Sequence, residues 1–305
     1  GVAIVYISHR MEEVFAHCDT ITVMRDGYAI SSKPTRETNM EQVVRDMVGR
    51  SITEYYPGRT NEPGEIVLEV KNFCQDGLFN NISFKLRKGE ILGVAGLMGA
   101  GRTEIMRALF GVDSCKHGEV YLHGKKVCIK KPEDAIKAGI GFITENRKSE
   151  GLILDFSISR NIALPSVDTF AKRSVINAKN ETAFSEALSK KLGVKTASID
   201  LEAGALSGGN QQKVVIAKWI GMNPSIIIMD EPTRGIDVGA KRDIYDLMNE
   251  LTSQGVAIIM VSSELPEVIG MSDRILVIHE GKIAGELDHE EATQEKIITL
   301  ATGGQ

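Results

Sequence analysis

The chain has 305 residues, of which 42% are hydrophobic and 25% charged, and this composition excludes disordered and fibrous proteins. A net charge of −5 without a basic run argues against a nucleic-acid-binding protein. The four cysteines include no CxxC pair, so we predict neither a zinc site nor a disulfide framework. No apolar run approaches the roughly 18–20 residues that span a bilayer, and we expect membrane contact only through a partner.

The beginning of the chain repeats a segment near its end. Residues 1–28 align without gaps on residues 255–282, and eleven of the 28 positions are identical. Two similar strand–helix–strand units without common ancestry are the alternative. The repeat predicts that residues 1–50 are the C-terminal remnant of a first domain in a tandem protein, opening on a buried strand at 2–8. Asn39 is expected to cap a short helix over 40–48.

Residues 51–65 contain two prolines and two glycines without an apolar period, and we interpret them as a linker. From residue 66 to the end, apolar strands (66–70, 82–86 and 91–95 first) alternate with helical stretches, which predicts one α/β domain over 66–305. Between about 151 and 205 the pattern becomes helical, with the longest helix over 177–192. We expect an inserted helical subdomain there.

The first chemical motif, GLMGAGRT, follows the strand at 90–95 and precedes a helical stretch at 103–110. Glycines at such a turn let backbone N–H groups surround a phosphate, and the helix dipole adds positive potential. The motif matches the P-loop pattern except that Arg102 stands where lysine belongs; a plain glycine-rich turn is the alternative. The predicted nucleotide contacts are Gly96, Leu97, Met98, Gly99, Ala100, Gly101, Arg102, Thr103 and Glu104.

A second motif, SIIIMDEPT, places two carboxylates after a short apolar strand. Ligands of α/β proteins bind at the carboxyl ends of strands. Asp230 is therefore predicted to hold Mg²⁺ together with the Thr103 hydroxyl, and Glu231 to orient and activate a water. An acidic loop after a buried strand is the alternative, which the P-loop upstream makes less favourable.

The third motif, LSGGNQQK, precedes a helical stretch at 211–220. Ser207 and the amides of Gly208 and Gly209 form a second predicted anion site, whereas one pocket needs only one. ATP is then expected to be shared between two domains. A serine N-cap followed by a flexible glycine pair is the alternative; it explains these residues by themselves, but not why they occur together with a P-loop and the DEPT segment.

In their order along the chain, P-loop, LSGG and DEPT, the three motifs resemble an ABC-type ATPase domain over about residues 66–305. The strings GLMGAGRTE, LSGGNQQK and DEPTRGIDVGAK are similar, more narrowly, to the second ATPase domain in ribose/galactose/xylose-type sugar importers, and YISHRMEEVF to the end of the first. The implied fold is an α/β P-loop NTPase domain with an inserted helical subdomain and a β-rich N-terminal lobe. The implied cofactors are ATP and Mg²⁺.

The resemblance also implies partners and a place in the cell. The partners are the first ATPase domain of the same parent chain, membrane permease subunits and, indirectly, a sugar-binding protein; nucleic acid is not among them. The chain would lie at the cytoplasmic face of the cell membrane, held there by the permease. Selectivity for a particular sugar would lie in the binding protein and the permease.

Further roles follow from the same resemblance. Glu145 matches the Q-loop position and could reach Mg²⁺ through an oxygen, and Asp237 matches the D-loop aspartate at the domain–domain face. His9 matches the switch histidine of the first domain. The internal repeat places Ser263 at the equivalent position of the second domain, so Glu231, Ser263 and His9 form the predicted catalytic set.

Two departures weaken the pocket of the second domain. Arg102 keeps a positive charge, but its planar fork differs from a compact ammonium. Ser263 keeps a hydrogen bond without the reach and charge of histidine. Together they predict slow or absent turnover, a regulatory role for ATP at this pocket, and an LSGG edge that completes the site of the first domain.

Three functions stay open at this point. The first is an energy-coupling ATPase subunit of a sugar importer. The second is a non-transport ABC protein acting on ribosomes or DNA, which usually carries basic arms or long coiled-coil insertions. The third is a non-catalytic interaction module that binds nucleotide only to set a dimer.

Overall fold

The computed structural model describes residues 1–7, 11–25, 27–40, 42–43, 46, 56–59, 61–172 and 175–304. Its strands are β1 (Thr20–Arg25), β2 (Tyr28–Pro34), β3 (Ile66–Gln75), β4 (Phe79–Arg87), β5 (Ile91–Gly96), β6 (His117–Leu122), β7 (Lys125–Val127), β8 (Ile140–Ile143), β9 (Ala171–Lys172), β10 (Val175–Ile176), β11 (Ile226–Asp230), β12 (Ala257–Val261), β13 (Arg274–His279) and β14 (Lys282–Asp288). Its helices are α1 (Met11–His17), α2 (Arg102–Phe110), α3 (Pro132–Lys137), α4 (Ile158–Ala163), α5 (Val167–Phe170), α6 (Ala178–Lys191), α7 (Gly208–Ile220), α8 (Val238–Ser253), α9 (Leu265–Met271) and α10 (Gln294–Ala301).

A six-stranded sheet in the order β14–β13–β5–β12–β11–β8 forms the centre of the α/β domain. Five of its strands are parallel, and β14 pairs antiparallel at one edge. Every residue of β11 and β12 is buried, which explains their continuous apolar sequences, since a parallel sheet is covered on both faces. The predicted α/β class is confirmed.

A second, antiparallel sheet in the order β4–β3–β6–β7 forms the predicted β-rich lobe. In β4 the buried residues alternate with exposed ones over its second half, as expected for a sheet with one solvated face. Phe73 and Phe79 stack between β3 and β4, with ring centroids 5.6 Å apart. Both rings belong to the main core, which therefore extends from the parallel sheet into this lobe.

The stretch between residues 151 and 205 is mainly helical, as predicted, with α4, α5 and α6 and a short hairpin of β9 and β10. The helix expected over 177–192 is α6, and the side chain of Asn177 caps it by accepting a bond from the amide of Asn180 at 3.2 Å. Trp219 on α7 meets Phe110 edge-on, with centroids 5.5 Å apart. This tryptophan packs in the core, as its position on an apolar helix face indicates.

The N-terminal segment departs from the prediction in one respect. The buried strand expected at 2–8 is wrong for residues 2–7, which join none of the described sheets and leave Val2, Ile4, Val5 and Ile7 more than 80% exposed. A strand is stable only where neighbouring strands take up its N–H and C=O groups, and apolar character alone does not supply them. Residue 8 lies outside the described residues.

The rest of the N-terminal segment forms a small unit of its own. The helix α1 and the hairpin β1–β2 enclose a core of Val14, Ile21, Val23 and Val43. Asn39 caps the next helical turn by accepting a bond from the amide of Gln42 at 2.8 Å, while much of the helix predicted over 40–48 falls outside the described residues. Within the described ranges, none of the helices combines the length and apolarity that crossing a bilayer requires.

The segment interpreted as a linker is anchored through Arg59. All five N–H groups of its guanidinium donate hydrogen bonds: two to the carboxylate of Asp273 (2.9 and 2.7 Å) and one each to Asn249, Thr252 and the carbonyl of Gly89. The side chains of Arg59 and Asp273 are only 14% and 15% exposed. Residues 56–59 and 61 are therefore part of the packed structure, although their sequence carries no apolar period.

We predict that Arg59→Met lowers the free energy of unfolding by about 3 kcal/mol, because it leaves the carboxylate of Asp273 buried without its cation. Chemical denaturation followed by circular dichroism measures the change. The matched control is Arg36→Met, since the side chain of Arg36 is 86% exposed and its pair with Glu37 spans 3.7 Å. The control is expected to change stability by less than about 0.5 kcal/mol. Equal effects of the two substitutions would contradict a structural role for this anchor.

Candidate functional site

The register of three neighbouring strands brings the predicted chemical residues to one edge of the sheet. Strand β12 lies between β5 and β11, and Val261 at its end pairs with Val94 on one side and with Asp230 on the other. The loops after all three strands therefore emerge together. They carry the P-loop motif, Asp230 with Glu231, and Ser263.

The P-loop motif forms the turn between β5 and α2. At Gly96 the chain passes so close to β13 that a Cβ atom would lie 2.4 Å from the carbonyl oxygen of Ile278. Gly101, at the N-cap of α2, has φ of 100°, a left-handed conformation that favours glycine. The loop therefore presents the first amides of a nine-residue helix to this edge, as an anion-binding turn requires. Met98 at its tip is 97% exposed.

Arg102 points toward the carboxylate loop. Its Nη1 donates to the carbonyl oxygen of Ser262 at 2.8 Å, and its Nη2 lies 3.8 Å from Oε1 of Glu231. Its side chain is 11% exposed. The charge that a P-loop normally offers to phosphate is thus engaged, in this structure, with the two loops that follow β11 and β12.

Asp230 is buried and its carboxylate oxygens have no hydrogen-bond partner among the described residues. Burial raises its pKa to about 6, while Arg102 and the Thr103 hydroxyl, which faces the carboxylate without completing a hydrogen bond of normal geometry, lower the pKa. A buried carboxylate without a partner is costly unless a cation binds it. The chemistry of this donor set, one carboxylate and one hydroxyl, fits Mg²⁺, which takes few protein ligands and completes its shell with phosphate and water. The described residues contain no cluster of three acidic, histidine or cysteine side chains that would form a closed metal site.

Glu231 follows directly, in a left-handed conformation with φ of 49° that is uncommon outside glycine. The hydroxyl of Ser263 donates to its Oε2 at 3.1 Å. Burial raises the pKa of Glu231 to about 7, against the opposing effects of Arg102 and Ser263. The structure thus brings Glu231, Ser263 and Arg102 together, with a carboxylate poised to gain or lose a proton near neutral pH.

Sequence reasoning missed Glu267, a buried carboxylate on α9. It accepts hydrogen bonds from the hydroxyl of Thr233 at 2.7 Å and from the hydroxyl of Ser262. These two residues flank Glu231 and Ser263 in sequence. Glu267 therefore holds the two loops at their observed spacing, and the only signal in the sequence is a glutamate on the apolar side of a short helix.

A second cluster forms where α7 and α8 begin. Ser207 is the N-cap residue of α7 and accepts a bond from the Asn210 side chain at 2.9 Å rather than capping the helix amides with its own. Asp237 caps α8 by accepting from the amide of Ala240 at 3.0 Å. A Cβ atom on Gly209 would lie 2.9 Å from that of Ala240. The structure thus places Ser207, Gly209 and Asp237 on one face, which we name the signature face.

Two predicted residues are not joined to these clusters by the described contacts. Glu145 follows β8, and its carboxylate pairs with Arg234. Its role as a Mg²⁺ ligand stays a prediction. His9 lies outside the described residues.

The sequence profile of the ABC transporter family matches residues 79–234, just over half of the chain. The chain belongs to this family. It is 63% identical over 304 residues to the "Ribose import ATP-binding protein RbsA" of Oceanobacillus iheyensis and 62% identical over 305 residues to that of Bacillus subtilis. All of this chain is covered in both alignments, but only 61% and 62% of those two proteins. The chain therefore spans about three fifths of the length of these curated relatives.

Solved structures of ABC transporter cassettes share the fold. An ATP-binding cassette in its ADP conformation superposes with a TM-score of 0.65 at 23% identity, covering 78% of this chain and 99% of that one. A nucleotide-free cassette gives a TM-score of 0.63 at 21% identity, covering 78% and 95%. At this level of identity the likeness shows the fold of the ABC cassette and nothing further.

We predict that Glu231→Gln stabilises this ABC cassette at pH 8 by about 1–3 kcal/mol and leaves its stability unchanged near pH 4. The pKa of Glu231 is about 7 in the folded chain against an ordinary 4.5. Between these pH values the folded chain therefore keeps a proton on Glu231 that the unfolded chain has already lost. That stabilisation is complete below pH 4.5 and disappears as the pH rises through 7, whereas an amide has no such dependence.

Denaturation midpoints between pH 4 and 8, measured without nucleotide, test this expectation. Glu186→Gln on the exposed side of α6 is the control and should not change with pH in the same way. A stability difference between Glu231→Gln and the unaltered chain that stays constant over this range would show that Glu231 is not protonated near neutral pH.

Proposed function

We propose that this chain is an ATP-binding, energy-coupling part of a ribose-type monosaccharide importer. The observation that carries the proposal is the shared sheet edge, where a P-loop, a buried unpartnered Asp230 and a Glu231 with a pKa near 7 lie together. The sugar class rests on the printed names of relatives more than 60% identical over the whole chain.

The residues support specific roles toward MgATP. The amides between Gly96 and Thr103 would surround the phosphates, and Thr103 and Asp230 would hold Mg²⁺, which neutralises phosphate charge when bound. Glu231 would orient a water and accept its proton, and the donor Ser263 at 3.1 Å fixes the direction of that carboxylate. The products would be ADP and phosphate.

Turnover at this pocket is proposed to be slow. The guanidinium of Arg102 must leave Ser262 and Glu231 before it can contact phosphate, and its planar fork places charge differently from an ammonium. While the guanidinium stays near Glu231, its charge favours the ionised carboxylate, but its position keeps that carboxylate from binding a water. Ser263 offers one hydroxyl where the switch histidine of the family would extend further. ATP at this site would then act chiefly as a regulator.

The signature face is proposed to complete the nucleotide site of another ATPase domain. One bound nucleotide needs one P-loop, and the chain presents a second anion-binding helix start at Ser207–Gly209, beside Asp237. In this proposal residues 1–50 are the end of that first domain. The further partners are permease subunits at the cytoplasmic membrane face and, through them, a sugar-binding protein.

We predict that the chain binds MgATP with little hydrolysis, and that Arg102→Lys raises phosphate release at least about tenfold by restoring a compact ammonium. Calorimetric titration and phosphate release from the same samples measure both quantities. Asp230→Asn is the control expected to weaken MgATP binding. Rapid steady-state hydrolysis by the unaltered chain would contradict the regulatory role, and absence of binding would contradict a working pocket.

Co-purification tests the transport role separately. We expect the chain, expressed with the permease genes of its own organism, to appear in the membrane fraction with the permease. Recovery with ribosomes, and not with the permease, would favour the non-transport alternative.

A further inference from the structure

Arg147 makes contacts that the roles proposed above do not use. It begins a single π-helical turn, Arg147–Gly151, four residues after β8 ends. Its Nη1 donates to the carbonyl oxygen of Arg234 at 2.8 Å and its Nη2 to that of Gly235 at 3.2 Å. The guanidinium thus grips the backbone of the loop between Glu231 and Asp237.

The same guanidinium lies against the start of α7, the helix that begins at the signature face. A Cβ atom on Gly208 would be 2.8 Å from Nη2 of Arg147 and 3.5 Å from the carbonyl oxygen of Gly235. Glycine at 208 therefore allows three segments to meet: the turn after β8, the loop before α8 and the first residue of α7. Two of these segments carry the signature face.

The charge of Arg147 is not neutralised by the contacts that the described residues make. Both of its hydrogen bonds go to carbonyl oxygens, its Nε is buried without a partner, and burial lowers its pKa. The two acidic side chains of the same cleft are directed to other cations, Glu145 to Arg234 and Glu150 to Arg107 at 3.9 Å. A half-buried cation without a carboxylate is costly unless an anion approaches it.

We propose that Arg147 is a positioning residue of the signature face: it holds the Gly235 loop against Gly208 and adds a positive charge where the triphosphate of an opposing nucleotide arrives. This inference rests on the proposed function, in which the signature face closes over nucleotide held by another domain. The guanidinium acts through two backbone segments and through its field; the amides of α7 make the phosphate contacts.

The test uses MgATP-dependent dimerisation of the full chain, in which the signature face of one copy closes over the pocket of another. Sedimentation velocity gives the dimer dissociation constant, and calorimetry gives the affinity of each chain's own pocket. Arg147→Met is expected to weaken dimerisation at least about tenfold, with unchanged MgATP affinity at low protein concentration. Arg147→Lys keeps the charge without the two-carbonyl grip and is expected to fall between Met and the unaltered chain.

Two controls make the result specific. Lys148→Met removes a neighbouring exposed cation and is expected to leave dimerisation unchanged. Ser207→Arg blocks the signature face and is expected to abolish dimerisation. Melting temperatures show whether each variant is folded. If Arg147→Met does not fold, the dimer dissociation constant of Arg147→Lys tests the role of Arg147 instead.

The outcomes separate this inference from the proposed function. If both Arg147 variants dimerise as well as Lys148→Met while Ser207→Arg does not dimerise, the role of Arg147 is overturned and the proposed function is left intact. MgATP binding without dimerisation of the unaltered chain overturns both the inference and the composite site. Absence of MgATP binding overturns the proposed function itself.

Discussion

The parallel pairing of β5, β12 and β11 is the constraint on which the rest of the site depends. Parallel strands end at the same edge, so three loops far apart in sequence emerge side by side. Because these strands are buried on both faces, a slip by one residue would move every side chain to the opposite face and disrupt the packing on both sides of the sheet. The position of Asp230 beside the P-loop follows from this register and needs no additional contact.

The polar network at this edge shows how the fold holds charge in a region of low polarity. Burial raises the pKa of Asp230 and that of Glu231. Thr103 and Arg102 offset only part of the effect at Asp230, and Arg102 and Ser263 offset only part of it at Glu231. Glu267 joins the two loops by accepting hydrogen bonds from the Thr233 and Ser262 hydroxyls. In the function that we propose, a divalent cation and phosphates would stabilise this site, and nucleotide binding would then raise the stability of the cassette.

The two unusual residues of the pocket are neighbours in space, although 161 positions separate them in sequence. Arg102 contacts the carbonyl of Ser262 and approaches Glu231, and Ser263 donates to the same glutamate. Both changes therefore act on one carboxylate. The second cluster, around Gly208 and Asp237, carries neither change, and Arg147 holds its two segments together. The weakened pocket and the working signature face that we propose can thus belong to one domain, because different loops build them.

The sequence alone determined the α/β class and the helical stretch before LSGGNQQK, and it indicated most of the motif residues that the structure brings together in the candidate site. These depend on local signals: apolar runs of strand length, glycines at turns with positive φ, and carboxylates after a strand. Only the tertiary structure decided where Arg102 points, how Glu267 and Arg147 join separate loops, and that Arg59 anchors a segment without an apolar period. The exposed residues 2–7 show the converse, an apolar pattern without a paired neighbour. Hydrogen bonds and ion pairs between residues distant in sequence leave no periodic trace in it, because each depends on where the folded backbone places a single polar side chain.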